Sequence, residues 1–535
     1  MNRNFILIFL FFISWFFIIL LFLFYTQVLR HRYYYNKSLH LQKVSTIPRR
    51  GTIYDRNGNI LAGSYENYTG RVCLDCENYQ YEKEEKESLK KILNLRDWEI
   101  EKAINSKKAY YILKEEVSEE KLYQLEKLKL KGLILEKKYH RFYPYGDLFY
   151  HLVGFVDWKN DGISGLEYYF NDLLKGREGE KLILRDSSRY GYDLGEDIKQ
   201  MIPGKDIKTT LDLSIQYMAS KTLINLKEKI DYQWGAITIL NPQNGEILAH
   251  SINPPFNLND KGRWQDEHLA SSAYEPGSIM KPFYADTFLR LNPSFESLKF
   301  DCSKGYVEIA GIKINDHHRF FTLSFPETLY QSSNVGCILW SLKISQKEFI
   351  KTLENYGFLE KTGIEVPAES RGRANLKNFN MLTQAYFTLG QGISVTSAQV
   401  LRAYSALVNG GYLVKPHLTV INSGNREWRV KPEFEKLKNI LFQTTILGTG
   451  KKAYLSFLPI AGKTGTAEIA EGGRYLKGNY IGSFVCWYPL ENPRYLILIV
   501  IYKPRPLYYG GDVAAPLAKN LTFYLFLKGQ KDENI

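Results

Sequence analysis

The chain of 535 residues carries 70 Lys and Arg against 57 Asp and Glu, a formal charge of +13, with 44% hydrophobic and 24% charged residues. These proportions exclude disordered, collagen-like and low-complexity classes, and a mean hydropathy of −0.29 excludes a multi-span transporter. Five cysteines in a chain of this length are not a disulfide framework, and the length predicts roughly three or four domain-sized units.

The first feature in chain order is the apolar run Phe5 to Tyr25, in which Ser14 is the one small polar interruption. As a helix it spans roughly 30 Å, the thickness of a bilayer core. A cleaved signal peptide has a shorter apolar region, of about 7–15 residues, that ends in small residues. Here the run ends Phe22-Leu23-Phe24-Tyr25-Thr26-Gln27, so a retained single-pass anchor is expected. Arg3 precedes the span and Arg30, Arg32 and Lys37 follow it, so a count of positive charges does not orient it.

Residues 26 to about 50 are rich in Tyr and basic residues and read as a stalk. Arg50-Gly51-Thr52-Ile53-Tyr54-Asp55-Arg56-Asn57-Gly58 reads as a short strand and a tight turn, because Asn-Gly favours a hairpin. Residues 82–130 carry dense Lys and Glu with Leu and Ile at helical spacing, which predicts two amphipathic helices with solvated charged faces. Cys73-Leu74-Asp75-Cys76 is a C-x-x-C without a second pair or grouped histidines. A local disulfide or two unrelated thiols therefore fits it better than zinc or redox work. Cys302, Cys337 and Cys486 read as small core residues.

Pro203-Gly204-Lys205-Asp206 is the clearest punctuation, and a helix is predicted at about 213–229 after it. Trp234 to Leu240 alternates as a strand, Asn241-Pro242-Gln243-Asn244-Gly245 turns, and Glu246 to Ser251 returns. Helical segments fill much of 280–410, and the strands Tyr480–Tyr488 and Tyr495–Tyr502 close the region. An antiparallel sheet made from the two ends of this region, with helices between, is an α+β fold.

Three short motifs carry the chemistry. In Ser278-Ile279-Met280-Lys281, after Glu275-Pro276-Gly277, a turn would deliver Ser278 to a helix, and the spacing puts Lys281 on the same face. A serine hydroxyl needs an adjacent base, and a lysine acts as one when desolvation or nearby positive charge lowers its pKa. The same S-x-x-K spacing recurs at Ser88–Lys91 and Ser118–Lys121, on stretches that read as exposed helix. Ser332-Ser333-Asn334 offers a hydroxyl and a carboxamide that could relay a proton and hold an amide, or simply cap a helix. Lys463-Thr464-Gly465-Thr466 precedes the last strands, where Gly465 would let a peptide pair with a sheet edge. Lys463 and the two threonines would there make a carboxylate pocket. Lys361-Thr362-Gly363 lacks a following strand and reads as a turn.

S-x-x-K, then S-x-N, then K-T-G-T is the order found in penicillin-recognising serine enzymes, and on these motifs the chain resembles the class B penicillin-binding proteins. Arg50 to Gly58 with Leu61-Ala62, then Arg141-Phe142-Tyr143-Pro144, His151, Gly154 and Gly165-Leu166-Glu167 resemble boxes of their non-catalytic module. Gly390-Gln391-Gly392-Ile393-Ser394-Val395-Thr396-Ser397 matches a stretch of their transpeptidase domain. Tyr274-Glu275-Pro276-Gly277, the short spacing from Asn253-Pro254-Pro255 to Ser278, and Asn315-Asp316-His317-His318 are more similar to the division branch (FtsI, penicillin-binding protein 3) than to the elongation branch.

The resemblance implies a short cytoplasmic tail and anchor over 1–25, a non-catalytic pedestal or dimerisation-like domain over 26–205 and a transpeptidase domain over 206–535. It implies that Ser278 is acylated by D-Ala-D-Ala stem peptides, with Lys281 as its base and Ser332 and Lys463 passing a proton to the leaving D-alanine. Backbone N–H groups of Ser278 and Thr466 would form the oxyanion hole. Asn334 would hold the donor amide, and Thr464, Gly465 and Thr466 the terminal residue. No metal or organic cofactor is called for. β-Lactams would acylate the same serine, and the acceptor would be an amine from a neighbouring stem peptide. The implied partners are a membrane-embedded, FtsW-like glycan-polymerising synthase of the SEDS type, other division proteins and the cytoplasmic membrane, with the enzyme on its periplasmic side. An elongation-type transpeptidase and a non-catalytic β-lactam sensor or scaffold stand as alternatives. Between Ser332 and Lys463 there is no E-x-x-L-N pattern of the kind one class of β-lactamases uses. No nucleic-acid motif accompanies the positive excess, which suits a protein held against anionic lipid and wall polymer.

Overall fold

The computed structural model describes residues 3–30, 40–74, 80–106, 111–114, 117–130, 132–185, 191–255, 268–424, 426–471 and 474–533. Helix α1 (Arg3–Phe24) runs into a π-helical turn, Tyr25–Leu29. The stretch Ile8–Leu29 is long and apolar enough to cross a membrane, and its side chains are exposed rather than packed on protein. The chain divides into two compact units: 1–51, 64–142 and 175–205 form one, and 52–63, 143–174 and 206–535 the other.

In the first unit, β1 (His40–Thr46) pairs antiparallel with the strand Gly179–Arg185, which pairs in turn with Gly191–Lys199. Arg141 ties two of the sequence boxes together, its Nη1 donating to the Gly51 carbonyl at 2.7 Å and to Ser64 Oγ at 3.1 Å. The two helices expected over 82–130 are in fact three, α2 (Lys83–Leu93), α3 (Asp97–Ile104) and α4 (Glu119–Lys127), with a strand, Tyr111–Lys114, between the last two. Asn94 stops α2 by turning to φ +54° and donating its N–H to the Lys90 carbonyl, a left-handed cap that asparagine tolerates. Tyr111–Lys114 is a strand because it pairs with the distant end of Ile60–Leu74, a partner that helical periodicity cannot reveal. The Leu and Ile residues of the helices nevertheless point inward as their spacing suggests, with Leu89, Leu93, Ile100 and Leu125 in one core with Leu74. Cys76 lies outside the described residues.

In the second unit, the short strand Ile53–Tyr54 pairs with Ile60 and Ala62 across the expected turn. Asp55 locks this turn by accepting from the N–H groups of Asn57 and Asn59, both at 2.8 Å. Helix α5 (Leu213–Lys227) starts at Asp212, whose carboxylate accepts from the N–H groups of Ser214 and Ile215, the usual role of aspartate at a helix start.

The centre of this unit is a five-stranded antiparallel sheet. Its strands are β2 (Trp234–Leu240), β3 (Ile247–Asn253), β4 (Ala461–Glu471), β5 (Arg474–Tyr488) and β6 (Tyr495–Tyr502), in the spatial order β3-β2-β6-β5-β4. The two ends of the region thus meet at β2 and β6, and β4 is left at the edge. Antiparallel strands usually alternate between core and water, yet β6 reads as an unbroken apolar run. Both of its faces are covered. Leu496, Leu498 and Val500 enter one core, whereas Ile497, Ile499 and Ile501 enter another that includes Leu223 of α5 and Leu521 and Leu525 of the C-terminal helix Ala515–Glu533.

The first core extends around α6 (Lys281–Leu291), α7 (Asn334–Ser341) and α8 (Ser397–Val408). Trp340 of α7 is fully buried, its ring 5.6 Å from that of Phe288 and 5.4 Å from that of Phe325, and its Nε1 donates to Thr328 Oγ1 at 3.0 Å. Replacing it with alanine removes this packing and opens a cavity. Trp340→Ala is expected to destabilise the second unit by about 3–5 kcal/mol, read as a lowered midpoint in thermal or urea unfolding.

Candidate active site

Gly277 begins the site. Its φ of +65° and its approach to β4, where a Cβ would lie 3.2 Å from Thr466 and Ala467, suit a residue without a side chain. It opens a single 3₁₀ turn, Gly277–Met280, that carries Ser278 and runs directly into α6, whose first residue is Lys281. The turn is pinned from behind. Tyr404 donates its hydroxyl to the Ile279 carbonyl at 2.7 Å, and the Gly390–Val395 stretch runs alongside, with Tyr274 and Val395 exchanging backbone bonds and Gly277 N donating to Gly390 O at 3.2 Å. Ser278 is 7% exposed, and its hydroxyl has no hydrogen-bond partner among the described residues.

Lys281 is completely buried. Its Nζ donates to the Ser332 carbonyl at 2.9 Å, to Asn334 Oδ1 at 3.0 Å and to Ser332 Oγ at 3.3 Å. Lys463, on β4, is also completely buried, and its Nζ donates to the same Ser332 Oγ at 2.8 Å and to the Thr464 carbonyl at 3.0 Å. Two amines from opposite ends of the domain thus converge on one hydroxyl. Burial lowers the pKa of both, because the interior solvates an ammonium poorly. Lys463 falls well below the usual lysine range, first through desolvation and then through the nearby Lys281. Lys281 is lowered by desolvation, against which Cys337 and Asp316 act.

Ser332 sits at φ +59°, a left-handed backbone that costs a non-glycine residue about 1 kcal/mol or more. The conformation aims both its hydroxyl and its carbonyl at the lysines. The next residue, Ser333, is the N-cap of α7, accepting from Gly336 N at 2.9 Å. Both readings of Ser332-Ser333-Asn334 therefore hold at once, with the cap on Ser333 and the contacts to lysine on Ser332 and Asn334.

Asp316 organises this corner, a part that motif spacing did not reveal. It takes the Ser333 hydroxyl at 2.7 Å on Oδ2, and the N–H groups of Asn334 and Val335 on Oδ1. An anion at the first turn of a helix is favourable, and here it also fixes Asn334, whose Nδ2 donates to the Asn315 carbonyl at 3.1 Å. Asn315-Asp316-His317-His318 had drawn notice only as a sequence signature.

Thr464, Gly465 and Thr466 follow Lys463 along β4, paired with Phe484, Ser483 and Gly482 of β5. Thr464 and Thr449 share a short hydroxyl–hydroxyl bond, and Thr466 Oγ1 accepts from Gly510 N at 3.2 Å. A cavity of about 220 Å³ opens at Ser278 and is lined by Ser332, Thr449, Thr464, Thr466 and Gly511. A second, of about 360 Å³, also starts at Ser278 and passes Asn334 and Thr466 to a group of tyrosines. The two lysines thus meet at the Ser332 hydroxyl, and the cavities place Ser332, Asn334, Thr464 and Thr466 with Ser278. Ser88, by contrast, sits within α2 and donates to the Glu84 carbonyl, and Ser118 precedes α4.

Residues 235–522 match the penicillin binding protein transpeptidase domain, and residues 45–209 the penicillin-binding protein dimerisation domain. The chain belongs to the class B penicillin-binding proteins. It is 29% identical over 514 residues to stage V sporulation protein D of Bacillus subtilis, covering 89% of this chain and 77% of that one. Peptidoglycan D,D-transpeptidase FtsI of Escherichia coli is 28% identical over 506 residues, 90% of this chain and 83% of its own. The fold is also that of penicillin binding protein 2X from Streptococcus thermophilus, with a TM-score of 0.76, 24% identity, and coverage of 92% of this chain and 81% of the other.

In this class B penicillin-binding protein, residues 508–512 also frame the site, although no motif had marked them. Tyr508 and Tyr509 stand at the second cavity, and Asp512 is paired with Lys452 at 2.9 Å. Tyr508-Tyr509-Gly510-Gly511 was visible as an aromatic pair before two glycines, but nothing local tied it to Ser278.

Gly465 is the point where the edge strand touches the serine turn. A Cβ there would meet Ser483 Oγ at 2.3 Å and the Pro276 carbonyl at 2.9 Å. Gly465→Ala is expected to push β4 away from Ser278 at a cost of about 1–3 kcal/mol. Labelled penicillin should then acylate the variant at least about tenfold more slowly, and the unfolding midpoint should fall by several degrees.

Proposed function

We propose that the chain is a serine-type peptidoglycan D,D-transpeptidase of septal wall synthesis, held in the cytoplasmic membrane by α1 with residues from about 26 onward outside. The observation that carries this reading is the convergence of Lys281 and Lys463 on Ser332 beside the unbonded hydroxyl of Ser278. Membership of a family built around a transpeptidase domain supports the reaction type.

In this mechanism Ser278 Oγ attacks the carbonyl between the last two D-alanines of a stem peptide, and neutral Lys281 accepts its proton. The N–H groups of Ser278 and Thr466 hold the oxyanion, a contribution of roughly several kcal/mol in such sites. The C–N bond breaks as Ser332 Oγ protonates the departing amine and takes in turn the proton that Lys281 removed from Ser278, while Lys463 holds the Ser332 hydroxyl in place. Asn334 holds the donor amide, and Thr464 and Thr466 the terminal carboxylate. An amine from a second stem peptide then attacks the ester, forms the cross-link and releases Ser278. A β-lactam follows the first half of this path. The lowered lysine pKa values favour the base form that the first step needs.

Labelled penicillin should attach covalently to the native protein and not to Ser278→Ala. Because the base must be neutral, the acylation rate should rise with pH through the lowered lysine pKa and level off above it. Lys281→Arg, which cannot lose its proton, should slow acylation by roughly 10²–10⁴-fold. An unlabelled native protein would leave a binding or scaffold role instead, and rapid release of label would point to a hydrolase.

The septal role rests on Tyr274-Glu275-Pro276-Gly277 and Asn315-Asp316-His317-His318. In the fold, the carboxylate that distinguishes the first segment is half-buried, accepting from Gly392 N at 3.0 Å and from the Tyr475 hydroxyl at 3.2 Å. An FtsW-like synthase meeting α1 and other division proteins are the proposed partners. Depletion of the protein in its host is expected to give filaments; rounded cells would indicate elongation.

A further inference from the structure

Of the two cavities that open at Ser278, the carboxylate set of Thr464 and Thr466 accounts for the first. The second ends in a wall of tyrosines and one carboxylate, Glu468, for which the proposed mechanism has no use. Glu468 follows Thr466 by two residues on β4, so the pleat places both side chains on one face of the strand. It is half-buried and paired across the sheet with Tyr480, whose hydroxyl pKa is raised first by burial and then by the Glu468 charge. Tyr480 stacks on Tyr508 at 4.2 Å, and Tyr508 packs against Tyr509 at 4.4 Å.

The other charged groups of this cavity are committed. Lys313 lies 4.8 Å over the Tyr306 ring, and Asp316 is bound to the start of α7. Burial, and then the nearby Lys281, lower the pKa of His317. Among the described residues, no Lys, Arg or His forms an ion pair with Glu468. Glu468 thus stands beside electron-rich ring faces without an ion-pair partner among the described residues, and a carboxylate and ring faces both attract an ammonium.

We infer that this cavity is a subsite for a side-chain ammonium of the stem peptide, with Glu468 as its counter-charge. The inference rests on the transpeptidase reading and adds a determinant of substrate choice to it. Residues two apart on a strand are separated by roughly 7 Å. A peptide extended along β4 with its reacting carbonyl at Ser278 would thus carry a neighbouring long side chain to Glu468. The ammonium could belong to the donor peptide or to the incoming acceptor; its chemistry is the same in both.

The test uses the full chain and two donor peptides ending in D-Ala-D-Ala, one with a free lysyl ammonium and one with that amine acetylated. The native protein should turn over the free-ammonium peptide with a kcat/KM about tenfold or more above the acetylated one, the scale of one charge-assisted hydrogen bond. Glu468→Gln should erase that preference, Glu468→Asp should retain part of it, and the rate of acylation by labelled penicillin should stay within about twofold in both. For the acceptor, the acyl-enzyme is formed from the acetylated donor and offered glycine or a diamino acid. A preference for the diamino acid that Glu468→Gln abolishes assigns the subsite to the acceptor and equally supports it. Preferences unchanged by Glu468→Gln in both arms would overturn the inference, as would an equal loss on charged and uncharged substrates together with slowed penicillin acylation. A native protein that penicillin fails to label would instead bring down the transpeptidase reading, and this inference with it.

Discussion

Two lysine amines buried on one serine hydroxyl are the constraint around which the second unit is organised. Neither Lys281 nor Lys463 has access to water, and two ammonium groups this close in a poorly polarisable interior repel strongly. The arrangement is tolerable only where at least one amine is neutral, and a neutral amine is what proton transfer from a serine requires. The electrostatic cost and the chemical use are thus one fact. Such a pair would move apart unless held, and the surroundings hold it. Tyr404 fixes the Ser278 turn, Asp316 fixes the start of α7, and the pairing of β4 with β5 fixes Lys463. Ser332 itself is kept in a left-handed backbone, so part of the stability of the two cores offsets local strain.

Those cores explain why a site of this kind sits on this sheet. β6 joins strands from the two ends of the domain and is buried on both faces. It gives β5, and through β5 the edge strand β4, a rigid base. Helices on one side bring Ser278 and Ser332; the sheet brings Lys463. No element contributes more than a fragment of the site, and the precision of the lysine contacts comes from packing well away from them.

The parts of the molecule legible in sequence were those whose signal is local or ordered. Trp234–Leu240 read as a strand through its alternation and Tyr495–Tyr502 through a hydrophobic, β-branched and aromatic run of a strand's length. Ser278, Lys281, Ser332, Asn334 and Lys463 were found through the order of three motifs. Spacing alone was insufficient, because Ser88 within α2 and Ser118 just ahead of α4 have the same S-x-x-K spacing. Asp316 and Tyr508–Asp512 join the site through tertiary contacts that no local pattern encodes. The stretch 82–130 was misread for a related reason: Asn94 ends a helix with one residue's backbone angle, and Tyr111–Lys114 becomes a strand only beside Ile60–Leu74. Periodicity reports which residues face inward; it does not report where a partner from elsewhere in the chain will lie.

The position of β4 at the edge of the sheet has a further consequence. An edge offers backbone N–H and C=O groups, and any extended chain presents the complementary set whatever its side chains. Recognition there is indifferent to sequence, so an edge strand cannot by itself choose among peptides. Choice falls to side chains standing beyond the edge, in cavities that touch the strand but not the two lysines. One acylating centre can in this way serve walls built from different peptides, and discrimination against an inhibitor can be gained at the periphery without dismantling the chemistry.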